Sequence, residues 1–167
     1  INVPAVKVLY LAGIKNTINT AHKMGITTLD NPDQYGLSLV LGGGDVKPID
    51  MAEAYSVFAQ DGIKHTQTAI LKVEDSKGNI LEEYKDQSEQ VIDPQYVRLI
   101  NSILSDKEAR LGLFSPGNQL EIPNYEIAAK TGTTQDYRDA WTVGYTPFLV
   151  TIVWAGNNDF SSMQKEG

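Results

Sequence analysis

A chain of 167 residues that is 41% hydrophobic and 21% charged is neither disordered nor fibrous, and it fits one domain or part of one. Its net charge of −7 excludes a broad nucleic-acid surface, which needs clustered Lys and Arg, and the lack of cysteine excludes disulfides and thiolate metal sites. No run approaches the roughly 20 apolar residues that span a bilayer, and the start carries no signal-peptide pattern; Ile1 is not an initiator Met, so any leader or anchor belongs to sequence beyond this chain.

Residues 3–11 read as a helix: Pro4 suits the first turn, Val6, Leu9 and Tyr10 form an apolar face, and Gly13 stops it. Asn2 falls at or beside the N-cap, where an amide accepts a backbone N–H. A second helix over residues 16–24 turns Ile18, Ala21 and Met24 inward. His22 lies on it and His65 in a polar loop, neither with a partner at metal-ligand or catalytic spacing, so both read as structural or surface residues. Residues 30–33 are a turn cluster, and Gly42, Gly43 and Gly44 fit neither phosphate-binding glycine pattern, which leaves a tight loop. Pro48 then opens a helix with a core-facing stripe of Ile49, Ala52, Tyr55, Phe58 and Ala59, ending at Asp61 and Gly62.

A hairpin follows, residues 67–73 and 80–84, with Glu82, Glu83, Lys85 and Asp86 as a solvated face. Asp93 caps and Pro94 opens a helix through Leu104, with Val97, Ile100 and Leu104 on one side. Residues 112–124, with two prolines and two glycines, read as a loop. The last third is strand-like: residues 125–133, 140–145 and 149–155. Within the third strand both alternating sets are apolar apart from Thr151, the pattern of a strand covered on both faces. The sum is an α+β domain, an antiparallel sheet packed with helices and no internal boundary.

One stretch suggests chemistry. Ile127, Ala128 and Ala129 run into Lys130, Thr131, Gly132, Thr133 and Thr134, which reads as a strand leaving a core and opening onto a site. The ammonium supplies positive charge, Thr131 a donor for an anion, and Gly132 room for another backbone, so the stretch suits capture of an acyl group or a carboxylate. Alone, a K-T-G arises by chance in roughly one chain of this length in thirty, and a solvated Lys at a strand end before a Gly-containing turn is the better local explanation.

Its flanks decide. Lys130 to Thr134, followed by Tyr137-Arg138-Asp139-Ala140-Trp141-Thr142-Val143-Gly144-Tyr145-Thr146-Pro147 and then Val153-Trp154-Ala155-Gly156-Asn157-Asn158-Asp159, closely resembles the transpeptidase domain of penicillin-binding proteins, most of all the bifunctional class A kind. The likeness extends over almost the whole chain, through Asn2-Val3-Pro4-Ala5-Val6, through Tyr35 to Gly44 with Met51 to Tyr55, and through Ile103 to Asp106 with Glu108-Ala109-Arg110. The family's S-x-x-K, with its nucleophilic Ser, lies upstream of S-x-N and is absent here. Of S-x-N itself only Ile1 and Asn2 remain, and the closing helix expected after the last strand is missing too. The resemblance therefore implies a serine β-lactamase-like transpeptidase fold in incomplete form, the C-terminal half of one domain.

It further implies a peptidoglycan D,D-transpeptidase that works through a serine acyl-enzyme on stem peptides ending in D-Ala-D-Ala and is acylated by β-lactams. Lys130 would hold the site's positive potential, Thr131 and Thr133 would bind the substrate carboxylate, with Thr134 beside them, and the Thr133 N–H would form half the oxyanion hole. Gly132 would let the peptide lie along the strand edge, and Asn2 would orient substrate and the upstream Lys. No cofactor is implied. The missing N-terminal half of the domain is an implied partner, no nucleic acid is, and a membrane enters only through an anchor in the parent protein, on the outer side of the bacterial cytoplasmic membrane. A serine β-lactamase, a penicillin sensor or a non-catalytic binding module are the alternatives.

Overall fold

The computed structural model describes residues 2–163, so Ile1, the middle position of the partial S-x-N, lies outside it. Helix α1 (Asn2–Ala12) opens at Asn2 and gives way at Gly13, whose φ of 83° only glycine adopts without strain, to α2 (Ile14–Lys23). Leu9 is buried as expected, but Tyr10 is 71% exposed. The correction follows from the contacts of α1, which lies against α2 and a 3-10 turn at Leu37–Leu41 and has only a narrow stripe to bury. Ile18 and Met24 of the second helical region are buried, and the His22 Nε2 donates to the Thr28 carbonyl at 2.8 Å, a structural role.

Helix α3 (Pro48–Ala59) starts at proline, as its sequence predicts, yet its stripe is rotated. Asp50, Ala54 and Val57 are buried, whereas Ile49 is 58% exposed. Asp50 can take the inner position because its Oδ2 accepts the Thr27 N–H at 2.7 Å and the Thr27 hydroxyl at 2.6 Å, two hydrogen bonds that offset its burial. Burial alone would raise its pKa; the Thr27 hydrogen bonds and the nearby Lys47 ammonium outweigh that and hold it below the usual carboxylate range. The helix serves two cores. Ala54 and Val57 join Ile18, Met24, Ile26 and Leu29, while Tyr55, Phe58 and Ala59 pack on the sheet.

Two short ladders follow. Strand β1 (Ile63–His65) pairs antiparallel with β4 (Ser88–Gln90), and β2 (Lys72–Glu74) with β3 (Ile80–Glu83). His65 thus sits on a strand rather than in a loop, its Nδ1 2.8 Å from the Asp86 carboxylate. Helix α4 (Pro94–Leu104) is capped by the Asp93 side chain, which accepts the Gln95 N–H at 2.9 Å, and a one-turn α5 (Lys107–Arg110) comes next. Val97 is fully buried, but Ile100 is 39% exposed. Asn101, one turn after Val97, takes the inner position instead. Its amide donates to the Phe58 carbonyl at 2.9 Å and its oxygen accepts the Tyr145 hydroxyl at 2.6 Å. Burial first, and Tyr55 second, push the Tyr145 phenol above its usual pKa, so it stays protonated and donates.

The main sheet is antiparallel, in the order β5 (Ala128–Thr133), β6 (Asp139–Thr146), β7 (Leu149–Gly156). Ala128, Val143 and Tyr145 form its buried centre, with Val150, Ile152, Leu104 and the inner side chains of α3 around them. Strand β7 is covered on that face only: Leu149 is 66% and Val153 56% exposed, against the expectation of cover on both sides. The reason is that α3 and α4 approach the same face, where Tyr55, Phe58, Ala59 and Leu104 meet the sheet, and among the described residues no helix supplies the other. Strand β5 also starts at Ala128, later than expected, because Tyr125 is drawn into a turn by its N–H bond to the Ile122 carbonyl.

Full burial of Ile18, Val57 and Val97 contributes about 1.5–3 kcal/mol each. The polar bridge through Asn101 contributes on a similar scale. Asn101→Ala strands the Tyr145 hydroxyl and the Phe58 carbonyl, so urea unfolding is expected to show a loss of about 1–3 kcal/mol. An unchanged midpoint would mean that the bridge is not holding α3, α4 and β6 together.

Candidate active site at the edge of the sheet

Strand β5 is rooted in the core and ends in solvent. Ala128 and Ala129 are buried, Thr131 and Thr134 half-buried, and Lys130, Gly132 and Thr133 exposed. At the root, the Arg110 guanidinium donates to the Leu120 carbonyl at 3.3 Å and the Ile127 carbonyl at 3.1 Å, tying the 112–124 loop to the strand's entry. Two donors on one planar fork fix the strand's approach better than a single contact would.

Register assigns the faces. Lys130 stands opposite Val143 and Gly132 opposite Trp141, on the face that carries the helices; Thr131 and Thr133, opposite Thr142 and Ala140, take the other. The Lys130 ammonium donates to the Thr131 carbonyl. An alanine Cβ at Gly132 would meet its nearest heavy atom, the Trp141 Cβ, at 3.8 Å, an ordinary contact. Nothing among the described residues therefore demands glycine here.

Beyond Thr133 the chain makes a strained turn. Asp136 (φ 60°) and Tyr137 (φ 55°) are both left-handed, a conformation that costs a non-glycine residue about 1–2 kcal/mol. The turn is closed across its base. The Thr134 N–H donates to the Asp139 carbonyl at 3.0 Å and the Asp139 N–H to the Thr134 hydroxyl oxygen at 2.9 Å. That hydroxyl in turn donates to Asp139 Oδ2 at 3.1 Å, and the Trp154 indole N–H donates to Asp139 Oδ1 at 2.9 Å. Successive N–H groups of an extended strand point to opposite edges. Since the Thr134 N–H turns toward β6, the Thr133 N–H turns away, to the open edge of β5.

The structure thus brings Lys130, Thr131, Gly132 and Thr133 together on β5, with Thr134 immediately after its end, at the start of the turn. Asn2 is on a separate element and, among the described residues, makes no hydrogen bond to this strand. The two are linked indirectly. Helix α1 lies against the Leu37–Leu41 turn, and at Gly42, which ends that turn with φ 96°, an added Cβ would lie 3.1 Å from the Thr134 methyl. Asp139, Trp154 and Arg110 carry no site motif of their own; the sheet register and their hydrogen bonds bring them to β5 and its turn. Ser162, Met163, Gln164 and Lys165 spell S-x-x-K, but after K-T-G in chain order, and Gln164 and Lys165 lie outside the described residues.

No group of His, Cys, Asp and Glu among the described residues could hold a metal ion. A concavity of about 400 Å³ lined by Ser105, Lys107, Asn124, Tyr125 and Glu126 lies at the strand's entry and not at Lys130. What stands at K-T-G is an open strand edge.

Residues 19–165 match the model of the penicillin binding protein transpeptidase domain. Penicillin-binding protein 1A of Aquifex aeolicus is 33% identical over 169 residues, which are 99% of this chain and 22% of that protein. Its counterpart in Neisseria flavescens is 32% identical over 171 residues, 99% of this chain and 21% of the relative. The chain therefore spans 22% and 21% of the length of these curated relatives. Among solved structures, PonA1 of Mycobacterium tuberculosis superimposes with a TM-score of 0.75 at 30% identity, over 91% of this chain and 43% of PonA1. PonA1 in complex with penicillin V gives 0.77 at 28%, over 94% and 45%.

Gly132→Ala tests whether the glycine serves the fold. The chain carrying it is expected to unfold within about 0.5 kcal/mol of the unaltered one in a urea titration. A loss above about 1 kcal/mol would show that β5 itself needs the glycine.

Proposed function

The chain belongs to the penicillin-binding protein transpeptidase family, and we propose that it is the K-T-G-bearing wall of a serine D,D-transpeptidase that cross-links peptidoglycan. In the parent protein a serine upstream of Ile1 attacks the carbonyl between the two terminal D-Ala residues of a stem peptide. The C–N bond breaks, D-Ala leaves with the proton, and the remaining acyl group stays on the serine oxygen. An amine from a neighbouring stem then takes the acyl group and regenerates the hydroxyl. β-Lactams react at the same serine and stay attached.

The residues of this chain divide the work. Lys130 supplies positive potential beside the reacting carbonyl, and the Thr131 and Thr133 hydroxyls bind the substrate carboxylate. Gly132 leaves the edge clear so that the peptide can add to β5 as a further strand. The Thr133 N–H is one of two oxyanion donors, the other belonging to the serine; one such donor is worth about 2.7–4 kcal/mol. Asn2 orients the substrate and the upstream lysine. The parent works on the outer face of the bacterial cytoplasmic membrane, held there by an anchor outside this chain. What carries this reading is the open edge of β5, whose free Thr133 N–H is directed outward by the bond that turns its neighbour inward.

Labelling with a fluorescent penicillin tests it. The parent is expected to give a covalent band on a denaturing gel, and this chain alone none. Lys130→Ala in the parent is expected to slow acylation by about a hundredfold. A stable band on this chain alone would overturn the assignment of the nucleophile to the upstream segment. An unchanged rate in the Lys130 variant would remove that lysine from the chemistry, and rapid release of hydrolysed penicillin by the parent would favour a β-lactamase.

A further inference from the structure

We infer that Asp139 is a positioning residue of the acyl-transfer site, acting through Thr134 to aim the Thr133 N–H. The inference rests on the transpeptidase reading and adds to it two residues outside the K-T-G strand, Asp139 on β6 and Trp154 on β7. Asp139 engages Thr134 at three points: its carbonyl takes the Thr134 N–H at 3.0 Å, its N–H reaches the Thr134 hydroxyl oxygen at 2.9 Å, and its Oδ2 accepts that hydroxyl's proton at 3.1 Å. Every polar group of Thr134 except its carbonyl is thereby committed to Asp139. The hydroxyl of Thr134 serves the turn rather than a substrate.

Asp139 is itself held from β7, on the same face of the sheet. The Trp154 indole donates to Oδ1 at 2.9 Å. The indole can reach there because residue 156 is glycine: a Cβ at Gly156 would stand 2.6 Å from Trp154 Cζ2 and 2.9 Å from the Arg138 carbonyl oxygen. Trp154 also meets Trp141, centroids 6.5 Å apart, which ties the indole to β6 as well as β7. From the loop side, Gly42 closes on the Thr134 methyl. Thr134 is therefore boxed in by β6, β7 and the Gly42 loop, and the peptide plane between Thr133 and Thr134 has little freedom to rotate.

A carboxylate suits this arrangement best. The indole N–H and the Thr134 hydroxyl both donate to the side chain of residue 139, so it accepts twice. An asparagine accepts one and presents its NH₂ to the other, which leaves the Thr134 hydroxyl only the Asp139 carbonyl, at a longer 3.5 Å, as acceptor. A slack turn lets the Thr133 N–H swing, and small misplacement of a transition-state donor lowers the chemical step more than ground-state binding.

The test uses the full-length parent, with a fluorescent penicillin as probe, and separates non-covalent affinity from the limiting acylation rate; thermal melts run alongside. Asp139→Asn and Thr134→Val are expected to lower the limiting rate about ten- to hundredfold with affinity within about twofold. Trp154→Phe, which removes the indole donor and part of the ring that meets Trp141, is expected to show a smaller loss in the same parameter. Thr134→Ser keeps the hydroxyl and is expected to recover most of the rate lost in Thr134→Val. Limiting rates within about twofold of the unaltered parent in both Asp139→Asn and Thr134→Val would overturn the inference, as would rates that fall only in step with the folded fraction and show no recovery with serine. A parent that takes up no penicillin would overturn the transpeptidase reading itself, an outcome visible before any variant is made.

Discussion

Six registered pairs join β5 to β6, from Ala128 with Tyr145 to Thr133 with Ala140, and they decide which backbone groups of β5 stay free. An edge strand of this kind is usually a liability, because its unpaired N–H and C=O groups invite a further strand. Here that exposure is the useful property. In the transpeptidase proposed above, the substrate is itself an extended chain to which the open edge of β5 would offer a ladder, with Lys130 and the threonines giving that ladder charge and direction. The difficulty is that a strand held from one side must still present its donors within a few tenths of an ångström.

The rest of the molecule can be understood as the means of holding it. At the inner end, Ala128 and Ala129 sit in the core and Arg110 pins the approach. Along its length β6 supplies the register, and β6 is fixed in turn by the Tyr145–Asn101–Phe58 bridge to α4 and α3. At the outer end Asp139 and Trp154 close the turn. Helix α3 makes this possible by serving two cores at once, one face against α2 and the other against the sheet. Its rigidity is therefore shared with the element that carries Asn2, through α2 and the Leu37–Leu41 turn.

Much of this was legible in the sequence. Proline at first helical positions, the Asp93 cap and the late run of strand residues located α3, α4 and the three-stranded sheet, and the flanks of K-T-G pointed to the family that the comparisons bear out. The helix faces were less legible, and for one physical reason. At both Asp50 and Asn101 a polar side chain occupies the inner position that hydrophobic spacing assigned to Ile49 and Ile100. Each is admitted by partners far along the chain, Thr27 for Asp50 and Tyr145 for Asn101, which local periodicity cannot register. Strand β7 misled in the opposite sense: its apolar run fits cover on two faces, but the helices described here lie on one. The β1–β4 ladder, three residues a side and interrupted by a hairpin, left no periodic signal at all. At the site, Lys130 to Thr134 declared themselves by chemical type, whereas Asp139 and Trp154 matter only through where the turn and the sheet bring them.

The central claim is geometric: the Thr133 N–H, turned outward at the edge of β5, is the donor that receives the developing oxyanion. The most direct measurement is a crystal structure of the parent acylated by a penicillin. The account predicts the acyl carbonyl oxygen about 2.7–3.1 Å from the Thr133 nitrogen, with the acyl chain running along the free edge of β5. A carbonyl oxygen directed away from that nitrogen, with the acyl chain off the edge, would contradict it.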